Sequence, residues 1–206
     1  MQEKISVACY ESTLVVFDSE PRLDWTSFFS RARPVEIEIG CGKGAFLLAY
    51  GKQHPERSLL GIENQPRWAY GIAARLEREP QPNVRVLCAD AAFVIARLVV
   101  DASVAAYHVY FPDPWWKRRH HKRRLVERDF GADLYRTLAP GGVLHLATDV
   151  ADRFATMQGE LACSPFRVAA SDEPTPAGRP LTAFERKYRA EGRPLYYATF
   201  TKPVLS

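Results

Sequence analysis

No stretch of this 206-residue chain stays apolar for the ~20 residues that a membrane-spanning helix needs, which excludes a span of that kind. The opening MQEKISVACYE lacks the charged, apolar and small-residue segments of a secretory signal, so a cytoplasmic protein without membrane partners is expected. The four cysteines, Cys9, Cys41, Cys88 and Cys163, form no CxxC pair. Neither a zinc site nor a disulfide framework is indicated, and reduced packing thiols are expected. Internal repeats and low-complexity linkers are also missing. The length suits one sizeable core, so a single domain over 1–206 is predicted, with 1–34 a segment of uncertain structure and 35–206 the core.

One more absence is local: no acid interrupts residues 117–124, KRRHHKRR. Of the 28 Lys and Arg in the chain, six lie in this run, and the remaining 22 face 24 acids, a balance of −2. The basicity is therefore concentrated, as in a focused surface for a polyanion.

From residue 35 onward, short apolar or β-branched runs alternate with helical stretches. VEIEI (35–39), SLLGI (58–62), VRVLC (84–88), VAAYHVYF (104–111) and VLHLAT (143–148) read as strands. The helical stretches between them include AFLLAYGKQ, RWAYGIAARLERE, AAFVIARLVV and LVERDFGADLYRTL, the last ended by Pro140-Gly141-Gly142. That alternation predicts a parallel sheet with helices on both faces. After residue 164 the rhythm changes to FRVAA, a Pro-rich loop and LYYATF, which can form an antiparallel edge. Before residue 35 only a strand within 5–17 and a short helix near 24–31 are suggested.

EIGCGKG (38–44) falls where the first of these strands hands over to a helix. Glycines there permit a tight turn and leave room for a ligand against the backbone, at the carboxyl edge of the sheet. Two ligand classes compete, because Gly40, Gly42 and Ala45 also satisfy the dinucleotide pattern. Glu63, ending the next strand, suits the ribose hydroxyls of either NAD or S-adenosyl-L-methionine. Asp90 is placed for an adenine amino group. Glu38 suits the cationic amino-acid end of S-adenosylmethionine and would repel a pyrophosphate, which favours the methyl donor.

With FPDPWWKRRHHKRRL (111–125) beside EIGCGKG, GIEN and CAD, the chain resembles the bacterial tRNA (guanine-N7-)-methyltransferases, and LTAFERK matches that family's late T-x-F-E-x-K signature. The resemblance runs from about residue 35 to the C-terminus. It implies an α/β, Rossmann-like methyltransferase fold: a mostly parallel seven-stranded sheet with an antiparallel last strand. It implies methyl transfer from S-adenosylmethionine to a guanine N7 in the tRNA variable loop. Cofactor contacts are implied for Glu38, Gly40, Gly42, Gly44, Glu63, Asn64, Asp90 and Ala91, and the catalytic role for Asp113. Substrate binding is implied for Lys117, Asp149, Thr182, Ala183, Phe184 and Glu185, with Arg118, Arg119, Arg123 and Arg124 of the basic run beside them. Val150 follows Asp149 where relatives often carry Trp, and residues 1–34 hold four bases against five acids where relatives often carry a basic arm.

Guanine N7 already has a free lone pair, so such an enzyme has to position rather than deprotonate. Asp113, between Pro112 and Pro114, can accept from the guanine N1 and N2 donors and favour the charge that methylation creates; a structural Asx-type turn is the other reading. Trp115 and Trp116 can stack on an extruded base or pack against the sheet. His120 and His121 fit polar contacts better than metal ligation, and His108 within its strand reads as a satisfied core residue. Thr182 with Glu185 also reads as a helix capping box. A small-molecule methyltransferase and a non-catalytic RNA-binding protein of the same fold stay open, as do monomer and homodimer.

Overall fold

The computed structural model of the chain describes residues 7–9, 22–29, 31–112, 130–162, 164–171 and 173–204. Strand β1 (Val7–Cys9) and helix α1 (Trp25–Phe29) precede an alternating series. It runs β2 (Val35–Ile39), α2 (Ala45–Gln53), β3 (Ser58–Glu63), α3 (Pro66–Arg78), β4 (Val84–Cys88), α4 (Ala91–Arg97), β5 (Val104–Tyr110), α5 (Phe130–Thr137), β6 (Leu138–Thr148) and α6 (Ala151–Leu161). The end of the chain adds β7 (Arg167–Ser171), α7 (Ala183–Ala190) and β8 (Tyr196–Thr201).

The five apolar runs named from the sequence are all strands. One boundary moves: α5 stops at Thr137, before the Pro-Gly-Gly that was expected to end it, and residues 140–142 lie inside β6. Among the described residues the order across the sheet is β1-β4-β3-β2-β5-β6-β8-β7, in which the seven strands of 35–206 are joined by a short eighth, β1, from the strand region suggested at 5–17, beside β4. Every neighbouring pair is parallel except those of β8, which runs antiparallel to both β6 and β7. The late antiparallel pair is present, with β8 inside and β7 at the rim.

Helices on both faces leave the central strands no solvent side, which is why β2 and β3 are buried along their whole length. One apolar cluster joins Ile37, Ile39, Leu60 and Ile62 to Val94, Ile95 and Met157 from α4 and α6. The other joins Leu59, Val84 and Val86 to Phe46, Leu47, Ile72 and Leu76 from α2 and α3. Helix α3 shows how the sequence sets this up. Pro66 starts it, where a missing N–H is no loss, and Ala69, Ile72, Ala73 and Leu76 form its buried stripe at helical spacing. Among the described residues no helix is long and apolar enough to cross a membrane.

From β2 the chain winds outward through β3 and β4, and from β5 it winds the other way through β6. The crevice beyond the carboxyl ends of β2 and β5 is therefore the topological switch point, where open sheets of this kind bind ligands.

Candidate functional site

Gly40, Gly42 and Gly44 all lie at positive φ, at 73°, 53° and 70°. Gly44 has a second constraint, since a Cβ there would stand 2.8 Å from Ile72 Cγ1 as α2 packs on α3. A Cβ on Gly42 would meet nothing within 4 Å, so the space in front of the loop is open. The Gly40 amide donates to the Ile62 carbonyl at 2.8 Å, which sews the loop to β3. Buried Glu63 completes the frame: its Oε2 accepts from the Gly42 amide at 2.7 Å and its Oε1 from the Gln65 amide at 2.8 Å. Each oxygen keeps a further lone pair, so a held Glu63 can still accept from hydroxyls.

Glu38, at the end of β2, is 5% exposed, and its Oε2 is buried with no hydrogen-bond partner. Burial pushes the carboxyl up to about 8, against the pull of Arg179 and the Leu47 amide, while the nearby Glu63 charge adds to the rise. A buried carboxylate in this position calls for a cation or donor from outside the chain. Asp90 caps α4, its Oδ1 accepting from the Ala92 and Phe93 amides at 2.8 and 3.3 Å, and it is exposed at the end of β4. Asn64 is exposed and Ala91 half-buried on the same rim. Three acids thus follow one another along adjacent strands, about 5 Å per step across the sheet. The residues fit S-adenosylmethionine: an unmet acid for its cationic end, a held acid for ribose hydroxyls, and Asp90 with Ala91 for the adenine.

On the other side of the switch point β5 is followed by Phe111, held at φ 50° with its amide donating to the Ala147 carbonyl at 2.7 Å. Its ring meets Tyr188 of α7 edge-on at 5.6 Å, and Arg153 reaches the Pro112 carbonyl at 3.4 Å. Asp113, Trp115, Trp116, Lys117, Arg118, Arg119, His120, His121, Arg123 and Arg124 lie outside the described residues. Asp149, after β6, accepts from Arg193 at 3.2 Å, and the Arg193 guanidinium lies 4.5 Å over the Tyr188 ring.

The Thr182–Glu185 segment divides by direction. Thr182 and Glu185 form the capping box of α7 and are buried, whereas Ala183 and Phe184 are exposed, Phe184 at 53%. Glu185 Oε2 accepts from Arg179 Nη1 at 2.8 Å and the Thr182 amide at 3.2 Å; Oε1 accepts from Arg179 Nη2 and the Tyr197 hydroxyl, both at 2.9 Å.

Two features were not anticipated. Arg179 lies in a Pro-rich loop whose sequence gives no sign of a buried cation. Glu36, which looks like a solvent-facing strand residue, is fully buried and accepts from Arg57 and, at 2.7 Å, pairs with His108. His108 also meets the Tyr110 hydroxyl at 2.9 Å, so it is the satisfied core histidine its strand position suggested.

The family described as "Putative methyltransferase" matches residues 32–198. A protein of Myxococcus xanthus named tRNA (guanine-N(7)-)-methyltransferase is 38% identical over 189 residues, covering 88% of this chain and 89% of its own length. The chain belongs to the tRNA (guanine-N(7)-)-methyltransferase family. A family member from Nitrosomonas eutropha is also 38% identical, over 94% of this chain and 88% of its own length. Among solved structures, the 16S rRNA methyltransferase KamB superposes with a TM-score of 0.62 at 16% identity, covering 88% of this chain and 94% of its own. The aminoglycoside resistance methyltransferase NpmB1 gives 0.61 at 18%, covering 85% of this chain and 90% of its own. At these identities the likeness concerns the fold, which is that of methyltransferases.

Proposed function

We propose that this family member transfers the methyl group of S-adenosyl-L-methionine to N7 of a guanine in tRNA, in the variable loop. The observation that carries the reading is Glu38, a buried acid with an unmet oxygen beside an open glycine loop. Glu38 receives the cationic amino-acid end, Glu63 the ribose, and Asp90 with Ala91 the adenine. The backbone at Gly40, Gly42 and Gly44 lets the ligand lie against the chain. Bound there, S-adenosylmethionine supplies an electrophilic sulfonium methyl group.

The chain's own task is to hold N7 in line with that methyl, and placing the two in contact can supply most of the acceleration. Asp113 accepts from the guanine N1 and N2 donors and opposes the positive charge that the purine gains. Support comes from chain position: β5 neighbours β2, and only Phe111 and Pro112 separate its end from Asp113. Exposed Phe184, tilted against Tyr188 with ring centroids 5.9 Å apart, offers a stacking surface to an extruded base. Lys117, Arg118, Arg119, Arg123 and Arg124 contact phosphates and set the register of the tRNA. Such an enzyme works in the cytoplasm, where tRNA is found.

The test is incubation of the pure protein with labelled methyl donor and unmodified tRNA, followed by mapping of the product. Label should appear at N7 of one variable-loop guanine. Absence of label, or label on another atom, would overturn the reading.

A further inference from the structure

Glu185 belongs to the family signature that was expected to meet the RNA, yet it is completely buried and its two oxygens already accept four hydrogen bonds. That is about the full capacity of a carboxylate. Nothing remains with which to grip a base. What Glu185 does hold is Arg179, whose side chain is likewise fully buried. The guanidinium is fixed from every direction: two bonds to Glu185, Nε to the Thr175 carbonyl at 2.9 Å, Nη1 to the Pro180 carbonyl at 2.9 Å, and its face 4.1 Å over the Tyr110 ring. Buried ion pairs add little net stability compared with apolar packing, so five constraints on one cation point to a positional role.

The place it occupies is beside Glu38. Tyr110 ends β5, the strand whose His108 pairs in register with Glu38, and it accounts for one wall. Phe46, 5.8 Å from the Arg179 guanidinium, accounts for the other, next to the Leu47 amide that meets Glu38. We propose that Arg179 and Glu185 form a positioning pair for Glu38: Glu185 aims the guanidinium, and the guanidinium supplies the positive charge that faces Glu38 at the floor of the site. Neither side chain touches the RNA. The proposal rests on the methyltransferase reading, in which Glu38 receives the cationic end of the methyl donor.

The groups around Glu38 come from five elements. Glu63 comes from β3, Cys41 from the glycine loop, the Leu47 amide from α2, Tyr110 and His108 from β5, and Arg179 from the segment before α7. Of the two charges acting on Glu38, Arg179 favours the anion and Glu63 opposes it. Through this pair, the α7 segment that presents Phe184 outward also sets the charge behind the cofactor acid.

Calorimetric titration of S-adenosylhomocysteine into wild type, R179M/E185Q and R179K across pH tests the pair. The ratio of variant to wild-type affinity cancels titration of the ligand itself. For folded R179M/E185Q it should fall about tenfold at pH well below the Glu38 value of about 8 and return toward one above it. R179K, which keeps the charge but not the two-pronged aim, should fall only about threefold at low pH, and tRNA affinity should be unchanged in both. A ratio that does not vary with pH overturns the proposal. So does weakened tRNA binding with homocysteine-ligand affinity intact, which would make Glu185 an RNA contact. If the double variant does not fold, E185D shortens the arm by one methylene with every charge kept. It should weaken the ligand about threefold at low pH, and no change counts against the pair. Failure of the wild-type chain to bind S-adenosylhomocysteine at all would instead overturn the methyltransferase reading.

Discussion

Two glutamates of β2, two residues apart and both buried, respond to burial in opposite ways. Burial works against ionised Glu36, but hydrogen bonds and charge from His108 and Arg57 hold its carboxyl at about 2. Its contribution to stability is present above the ordinary 4.5 and is lost as pH falls toward 2. Glu38 has only the Leu47 amide and the charge of Arg179 to set against burial, keeps one oxygen unmet, and sits at about 8. Between 4.5 and 8 the folded chain holds a proton that the unfolded chain releases, so ligand-free stability falls as pH rises through that window. Glu38→Gln should therefore stabilise the ligand-free protein by about 1–3 kcal/mol at pH 8 and much less near pH 4.5, read from urea unfolding. The same variant should bind S-adenosylhomocysteine about 2–5 kcal/mol more weakly by calorimetry. A variant less stable than wild type at pH 8 would show that the partners of the carboxyl outweigh its burial. In VEIEI the two acids look alike. The partners that distinguish them stand 21 and 72 residues along the chain, beyond the reach of any local pattern.

At the scale of elements, the β2–loop–α2 unit was the most legible part of the site. Its chemistry is local: a buried β-branched strand, glycines where φ turns positive, then an apolar helix. Gly44→Ala tests that unit. The left-handed backbone alone should destabilise the chain by about 1–2 kcal/mol, and the contact with Ile72 adds to it as α2 is forced off α3. Thermal unfolding would read the loss, and an unchanged midpoint would mean the loop relaxes without harm. The capping box of α7 was legible for the same reason, since Thr182 and Glu185 are three residues apart. Arg179 was not. Its partner is near in sequence, but the burial that gives the pair meaning comes from Tyr110 and Phe46, on elements far upstream. Strand order was equally hidden, because helix and strand periodicities give types of element and not their neighbours.

For the whole molecule, charge is distributed in two tiers. Away from residues 117–124 the chain has a small excess of acid, and six of its 28 bases are gathered within the stretch that follows FPDPWW after β5. Neutralising Arg118, Arg119, Arg123 and Arg124 together should lower the salt dependence of tRNA binding by about 0.7–0.9 in the log–log slope for each phosphate that an arginine had neutralised. Affinity for S-adenosylhomocysteine should be unaffected. Filter binding over a range of salt would measure the slope, and an unchanged value would remove the run from the interface.

The sheet itself places one demand on assembly. Among the described residues β7 pairs only with β8, and β8 lies between β6 and β7. A nascent polypeptide that has emerged from the ribosome as far as residue 171 therefore carries a strand with no seat, and the flank of β6 stays open until Tyr196–Thr201 arrives. The delay between the emergence of residue 171 and that of Thr201 sets how long that unpaired flank is available to chaperones or to a neighbouring chain.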